Sequence, residues 1–396
     1  MSTVLLILLA LHGYVALRLV PALGPWPIVQ VALGVLLVIS ALLIPVTFLL
    51  MGGRGRASPA VRQRLKAAGF LMVGLASSLL VLTLLRDLTL GMLQIAAWVV
   101  PDAWATGSWG GWATRWTDAD RRSEVSALAV PLLATSAALA GWVGARRTAA
   151  VRNVDIPIAG LPSALEGFTI VQISDIHVGN SIGGSYVDSI VERVNALNAD
   201  LVAITGDLVD GTVSRLAGDV APLARLRSRF GTFFVTGNHE YYSGVGPWLI
   251  EFRRLGLQVL MNRHVVIESA GARLALAGVA DYSAHHFDPA HRSDPAAAIR
   301  GVPDDVGVKI LLAHQPRSAA AAADAGFDLQ LSGHTHGGQF LPWNWFVRFQ
   351  QPYTAGLDRL RSMWVYTSRG TGYWGPPMRL GAPSEITRIR LVRAEP

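Results

Sequence analysis

The chain has 396 residues, of which 51% are apolar and only 15% charged, with a formal charge of +7 and a mean hydropathy of +0.38. That balance is too apolar for a wholly soluble protein, and the length suggests two or three domains of unlike character. Cysteine is absent, which excludes disulfides, thiolate metal ligands and a cysteine nucleophile, and leaves any metal to His, Asp, Glu or Asn.

Four apolar runs come first. The run from Val4 to Val20 is short and interrupted by His12 and Arg18; with no positive residue before it, it reads as a retained helix rather than a cleaved signal. Pro27 to Met51 is long enough to cross about 30 Å of hydrocarbon. The third run begins near Gly69 and meets Arg86 and Asp87; the segment beyond, Leu88 to Val100, reads as an interfacial or re-entrant helix, or as an extension of the third span. The fourth, Ser126 to Ala145, has Pro131 as an expected kink. A loop with Arg54, Arg56, Arg62, Arg64 and Lys66, together with Arg146, Arg147 and Arg152 after the fourth span, puts these segments and both termini in the cytoplasm. Trp104, Trp109, Trp112 and Trp116 mark an outer interface, although Arg115, Arg121 and Arg122 argue the other way. Residues 1–150 are thus expected to form a transmembrane helical region of about four helices, and residues 151–396 a catalytic domain.

Past Arg152 the pattern changes to buried strands ending in polar residues, alternating with helices. Strands are predicted in FTIVQISDIH, ADLVAITGDLVD, GTFFVTGNHE, QVLMNRHVVIES, RLALAGVADY, VKILLAHQP and LQLSGHTHGG, with MWVYTSRGTG and EITRIRLVR as a closing pair. Helices are expected in YVDSIVERVNALN and RSAAAAADAGF, and near VAPLARLRSRF and PWLIEFRRLG. The order implies a layered α/β fold, two packed sheets flanked by helices, with functional residues at strand ends.

Eight polar groups gather at those ends: Asp175, His177, Asp207, Asn238, His239, His314, His334 and His336. Each directly follows an apolar run that would hold it rigidly. Neutral imidazoles and carboxylates suit Mn, Fe, Zn, Ni or Co, with Mn favoured here, and a carboxylate can bridge two such cations about 3.5 to 4 Å apart. A hydroxide bound between them is a nucleophile for phosphorus at neutral pH.

In this order and spacing, D-x-H, G-D, G-N-H-E, a lone His and G-H-T-H resemble the motif blocks of the calcineurin-like metallophosphoesterase superfamily, over roughly residues 165–395. The resemblance implies a double-sheet sandwich with two divalent metal ions. Asp175, His177 and His336 would bind one metal, and Asn238, His314 and His334 the other, with Asp207 bridging. His239 would be catalytic, stabilising the transition state or protonating the leaving group. Glu240 either orients His239 or lies on the surface. The tail, with YTAGL, SRGTG and MRLGAPSEITRIRL, further resembles membrane-linked bacterial members that include phosphodiesterases and a UDP-diacylglucosamine diphosphatase. That implies a multi-pass protein of the bacterial inner (plasma) membrane, its catalytic domain cytoplasmic, hydrolysing a phosphodiester or pyrophosphate of a lipid-linked substrate through metal-bound hydroxide. The alternative is a phosphodiesterase of soluble nucleotides or nucleic acid. The membrane bilayer and the substrate are the expected partners; nothing calls for an obligatory protein partner.

Arg369 is placed either to meet a substrate phosphate or to form a structural salt bridge, and the glycines beside His334 and His336 are expected to leave room for a bulky phosphate. FLPWNWFVRF, directly after the paired histidines, is either a core loop or an apolar lip for a membrane surface or acyl chains. His285, His286 and His291 read as an exposed loop, and Asp281 as a residue near the site.

Overall fold

The computed structural model describes residues 2–51, 58–99 and 118–394; Arg54, Arg56, Arg115 and the tryptophans at 104, 109, 112 and 116 lie outside them. The chain divides into two compact units, Met1–Trp142 with Gly375–Met378, and Val143–Trp374 with Arg379–Pro396.

In the first unit, α1 (Ser2–Leu19), α2 (Pro27–Met51), α3 (Pro59–Val99) and α4 (Ala119–Arg146) are each long and apolar enough to cross a membrane. His12 and Arg18 do not interrupt α1, because both find partners: His12 Nε2 lies 3.0 Å from Ser40 Oγ, and Arg18 Nε donates to Asp87 Oδ2 at 2.6 Å. Asp87 also accepts from Tyr14 and Arg86, and Arg86 donates to Ser126 Oγ and Ser123 O, so a polar network ties α1, α3 and α4 together. Leu88 onward continues α3 without a break, and Arg62, Arg64 and Lys66 sit in its first two turns rather than in a loop.

The second unit packs two six-stranded sheets face to face. One has the order β1-β12-β2-β3-β4-β5, the other β10-β11-β9-β8-β7-β6. These are β1 (Ala150–Ile158), β2 (Thr169–Ile173), β3 (Leu201–Ile204), β4 (Thr232–Phe234), β5 (Gln258–Val259), β6 (Arg263–Ser269), β7 (Ala272–Gly278), β8 (Val306–Leu312), β9 (Leu329–Ser332), β10 (Gly356–Leu360), β11 (Met363–Thr367) and β12 (Glu385–Arg393). Strand alternation sends Ile170, Leu201 and Phe233 to the inter-sheet core, where they meet Leu276, Ile310, Leu331 and Tyr366. Val171, Ile173, Val202 and Ile204 point the other way, against Val187, Ile190 and Val194 of α5 (Gly184–Asn195) and Trp248 and Phe252 of a later helix, Val245–Arg254. Each such side chain, fully buried, contributes about 1.5–3 kcal/mol.

Three sequence expectations need correction. QVLMNRHVVIES is two strands in different sheets, β5 and β6, separated at Asn262 with φ 51°. The closing pair is not a pair: β11 joins β9 and β10, whereas β12 inserts between β1 and β2. The helix near VAPLARLRSRF lies earlier, at Val213–Val220, with only a 3₁₀ turn following at Ala221–Arg225. Strand β1, exposed over its first four residues and burying Ile156 and Ile158 toward its end, is not among the predicted strands and forms by parallel pairing along all of β12.

Candidate metal centre

Parallel pairing of β2, β3 and β4 brings their C-terminal ends to one edge of the first sheet, and the parallel pair β8 and β9 does the same in the second. The loops leaving these ends carry all eight predicted residues. Asp175, His177, Asp207, His334 and His336 adopt left-handed backbone conformations, with φ of 54°, 56°, 52°, 71° and 51°. For residues with a Cβ this costs about 1–3 kcal/mol each, and it persists only where the surroundings over-determine it. Hydrogen bonds between loops do so here: Asp175 N donates to Gly206 O at 3.0 Å, and His177 N to Asp207 O at 3.1 Å.

Two glycines are dictated by close approach. A Cβ on Gly237 would lie 2.2 Å from Asp207 Oδ1, and one on Gly333 would lie 2.1 Å from Ser174 Oγ and 2.2 Å from Asp175 Oδ2. The glycine before His334 therefore makes room for protein, not for a bulky phosphate as its sequence position had suggested.

The side chains form two adjoining groups. In the first, the Nε2 atoms of His177 and His336 lie 3.0 Å apart, with Asp175 Oδ1 3.5 Å from His336 Nε2. In the second, His314 Nε2 lies 3.1 Å from Asp207 Oδ2 and 3.2 Å from His334 Nδ1. Asp207 Oδ2 also lies 3.8 Å from His177 Nε2, so this one oxygen faces both groups. Each group has three metal-capable atoms within 4.8 Å of one another. Asn238 Oδ1 is buried and accepts no hydrogen bond, an orphaned oxygen that a cation at the second group would satisfy. The donor set of imidazoles, carboxylates and an amide oxygen, with no thiolate, fits hard to borderline divalent cations.

Electrostatics agree with that fit. Burial raises the Asp207 carboxyl, but the imidazoles of His314, His239 and His177 outweigh it and hold Asp207 well below the usual carboxylate range. Burial and His314 push His334 down to about 3, and burial with the Arg379 guanidinium holds His336 well below the ordinary imidazole range, so both rings are neutral, the form in which an imidazole can bind a cation. Burial opposes a proton on His314, yet Asp207 lifts it well above its ordinary range. A proton and a cation there would answer the same negative potential.

The outer ring nitrogens are held as well. His314 Nδ1 lies 2.7 Å from Thr205 O, and His177 Nδ1 lies 3.1 Å from Asp210 Oδ1, which leaves Nε2 of each facing the site. Asp210 reaches His239 too, at 2.6 Å from Nδ1, and His239 Nε2 then lies 4.0 Å from Asp207 Oδ2. Tyr242 and Trp374 set their rings edge-on to His239, at centroid distances of 5.1 and 5.4 Å. Gln339 fixes Trp374 by donating to its carbonyl at 2.9 Å and accepting from its N–H at 3.0 Å.

Sequence reasoning misplaced one support and missed two. Glu240 neither orients His239 nor lies on the surface: it is fully buried and accepts from the N–H groups of Asp207 (3.0 Å), Leu208 (2.7 Å) and Gly237 (2.7 Å). Asp210 has the role expected of Glu240, and its place three residues after Asp207 was the available signal. Arg379 is buried with a nitrogen 2.9 Å from His336 Nδ1, while donating to the carbonyls of His336, Arg369, Gly372 and Ala382; it lies 43 residues beyond His336 with no local signal. Arg369 donates to Glu385 at 2.9 Å, the salt-bridge arrangement. Asp281 is buried and accepts from Gln315, the residue after His314. His285, His286 and His291 belong to none of the metal-capable groups found among the described residues, and FLPWNWFVRF is an exposed lip rather than core after Phe340.

Residues 168–338 match the calcineurin-like phosphoesterase family. A transmembrane protein with metallophosphoesterase domain from Bos taurus is 42% identical over 68% of this chain and 62% of its own. Metallophosphoesterases of Helicobacter pylori (strain 26695) and Aquifex aeolicus are 40% and 32% identical, over 56% and 61% of this chain and 59% and 91% of theirs. The chain thus spans less than two thirds of the length of the cattle and Helicobacter relatives.

Proposed function

We propose, from the premise that this chain belongs to the calcineurin-like metallophosphoesterase family, that it is a membrane-anchored phosphoesterase using two divalent metal ions to hydrolyse a phosphodiester or pyrophosphate of a lipid-linked substrate. The observation that carries the reading is Asp207 Oδ2, which faces His314 at 3.1 Å and His177 at 3.8 Å, as a carboxylate shared by two cations must. Asp175, His177 and His336 would hold one ion, and Asn238, His314 and His334 the other. When bound, such a pair supplies Lewis-acid charge to the phosphoryl oxygens and an activated water for in-line attack. His239, fixed at Nδ1 by Asp210, turns Nε2 toward the same space, where it stabilises charge on a phosphoryl oxygen or protonates the departing one. The four helices able to cross a membrane support a lipid-linked substrate, since anchoring a hydrolase gains little if its substrate diffuses freely. On this reading the arginines flanking the helices keep the catalytic domain in the cytoplasm.

The test is hydrolysis by the full chain in lipid nanodiscs with Mn2+, using an aryl phosphodiester, a panel of lipid phosphates, cyclic nucleotides and oligonucleotides. Turnover of the aryl diester and of a lipid phosphate, lost in His239→Ala, is expected. No turnover of any of them sinks the enzyme reading, and turnover of nucleotides alone sinks the lipid one.

A further inference from the structure

The segment leaving the metal loop is apolar, basic and largely exposed. After buried Phe340, a short helix at Trp343–Phe346 and a 3₁₀ turn at Val347–Phe349 expose Trp345 (62%), Phe346 (51%) and Phe349 (76%). The rings form one patch, with Trp343 to Phe346 at 5.7 Å and Phe346 to Phe349 at 6.3 Å, and the Arg348 guanidinium 5.6 Å from the Phe349 ring. No Asp or Glu occurs from Gln339 to Thr354, and Arg317 adds a second cation by donating to Gln350 O at 2.9 Å. A contiguous exposed apolar patch of this kind marks an interaction site.

The patch is held firmly to the metal centre. Gly338, with φ 76°, runs so close to the helix that a Cβ there would lie 2.1 Å from Asn344 Cα. Leu341 N donates to Leu380 O at 3.1 Å, and Trp343 N to Phe340 O at 2.9 Å. The helix cannot shift without disturbing the loop that carries His336, seven residues earlier.

We propose that Leu341–Phe349 seats in the headgroup region of a bilayer containing anionic lipid and so holds the metal centre at the lipid surface. Three observations select a bilayer as the occupant. Tryptophan and phenylalanine beside arginine are the composition of interfacial anchors. Arg348 and Arg317, with no acidic side chain in the stretch, complement anionic headgroups. The domain is also tethered to lipid, because β1 starts four residues after the last membrane-competent helix ends. The docking stands on its own; only its consequence, access to phosphate borne by lipid, rests on the phosphoesterase reading.

Because the chain has no cysteine, single labels are clean. Trp345→Cys, Phe349→Cys and, as an exposed control elsewhere on the domain, Ile250→Cys would carry an environment-sensitive dye in the full chain, reconstituted in vesicles of phosphatidylcholine with phosphatidylglycerol. Blue-shifted emission and quenching by spin-labelled lipid are expected at 345 and 349 and not at 250. Labels that stay water-exposed overturn the proposal. So do labels shielded from water yet unquenched by lipid, which would mean a protein partner or a second copy. In a second arm, Trp345→Asp with Phe349→Asp should lower turnover of a vesicle-borne phosphodiester about tenfold and leave a soluble aryl phosphodiester unchanged; equal losses overturn it. If the unaltered chain hydrolyses neither substrate, the function has failed while the quenching result still decides the docking.

Discussion

The two metal-capable groups each join one aspartate to two histidines but are supported differently. Asp175, His177 and His336 lean on charged side chains: Asp210 at His177 Nδ1, and Arg379 at His336 Nδ1 from 43 residues further along the chain. Asp207, His314, His334 and Asn238 are supported through backbone groups, by Thr205 O at His314 Nδ1 and by the N–H groups of Asp207, Leu208 and Gly237 that the Glu240 carboxylate gathers. The second group is therefore assembled by strands β3, β4, β8 and β9 and the loops that leave them. The first is complete only once the segment before β12 has delivered Arg379.

Four substitutions probe that contrast. Asp207→Asn removes the one carboxylate facing both groups, so metal content should fall at both and hydrolysis should drop to background; retention of two metals with full turnover would break the shared-ligand reading. His239→Ala should lower turnover about 10²–10⁴-fold with metal content unchanged, which separates His239 from both groups by elemental analysis beside initial rates. Glu240→Ala leaves three buried N–H groups unsatisfied and should cost about 3 kcal/mol of stability, read as a lower unfolding temperature; an unchanged midpoint would mean that the loop does not depend on it. Arg379→Ala should weaken one metal about 10–100-fold and spare the other, seen as a split in a calorimetric titration, with Arg379→Lys restoring part of the loss. Equal weakening of both metals would show that the groups do not have separate supports.

The eight strand-end residues were legible because each pairs a short polar motif with an apolar run, and period-two burial fixes where such runs end. Glu240 was misread because a glutamate next to a histidine carries no sign of whether it turns to the ring or to the backbone behind it. FLPWNWFVRF was ambiguous for a related reason: aromatic content is the same for a core loop and for a lip, and only burial distinguishes them. The polar residues of the first unit illustrate this too. His12, Arg18, Arg86 and Asp87 look like interruptions in isolation, yet His12 meets Ser40 of α2, and the other three become a network when α1, α3 and α4 come together.

The sequence by itself determined the chemistry available here: which donor atoms exist, that no thiolate is among them, and that membrane-competent helices precede an α/β domain. These depend on residue type and short-range periodicity, which are local. Tertiary structure alone decided that Glu240 turns to the backbone behind the site, that Arg379 reaches His336, that β12 inserts beside β1 and β2, and that the aromatic run lies open. Those are long-range pairings, set by which buried surfaces fit together and which polar groups must find partners once water is excluded.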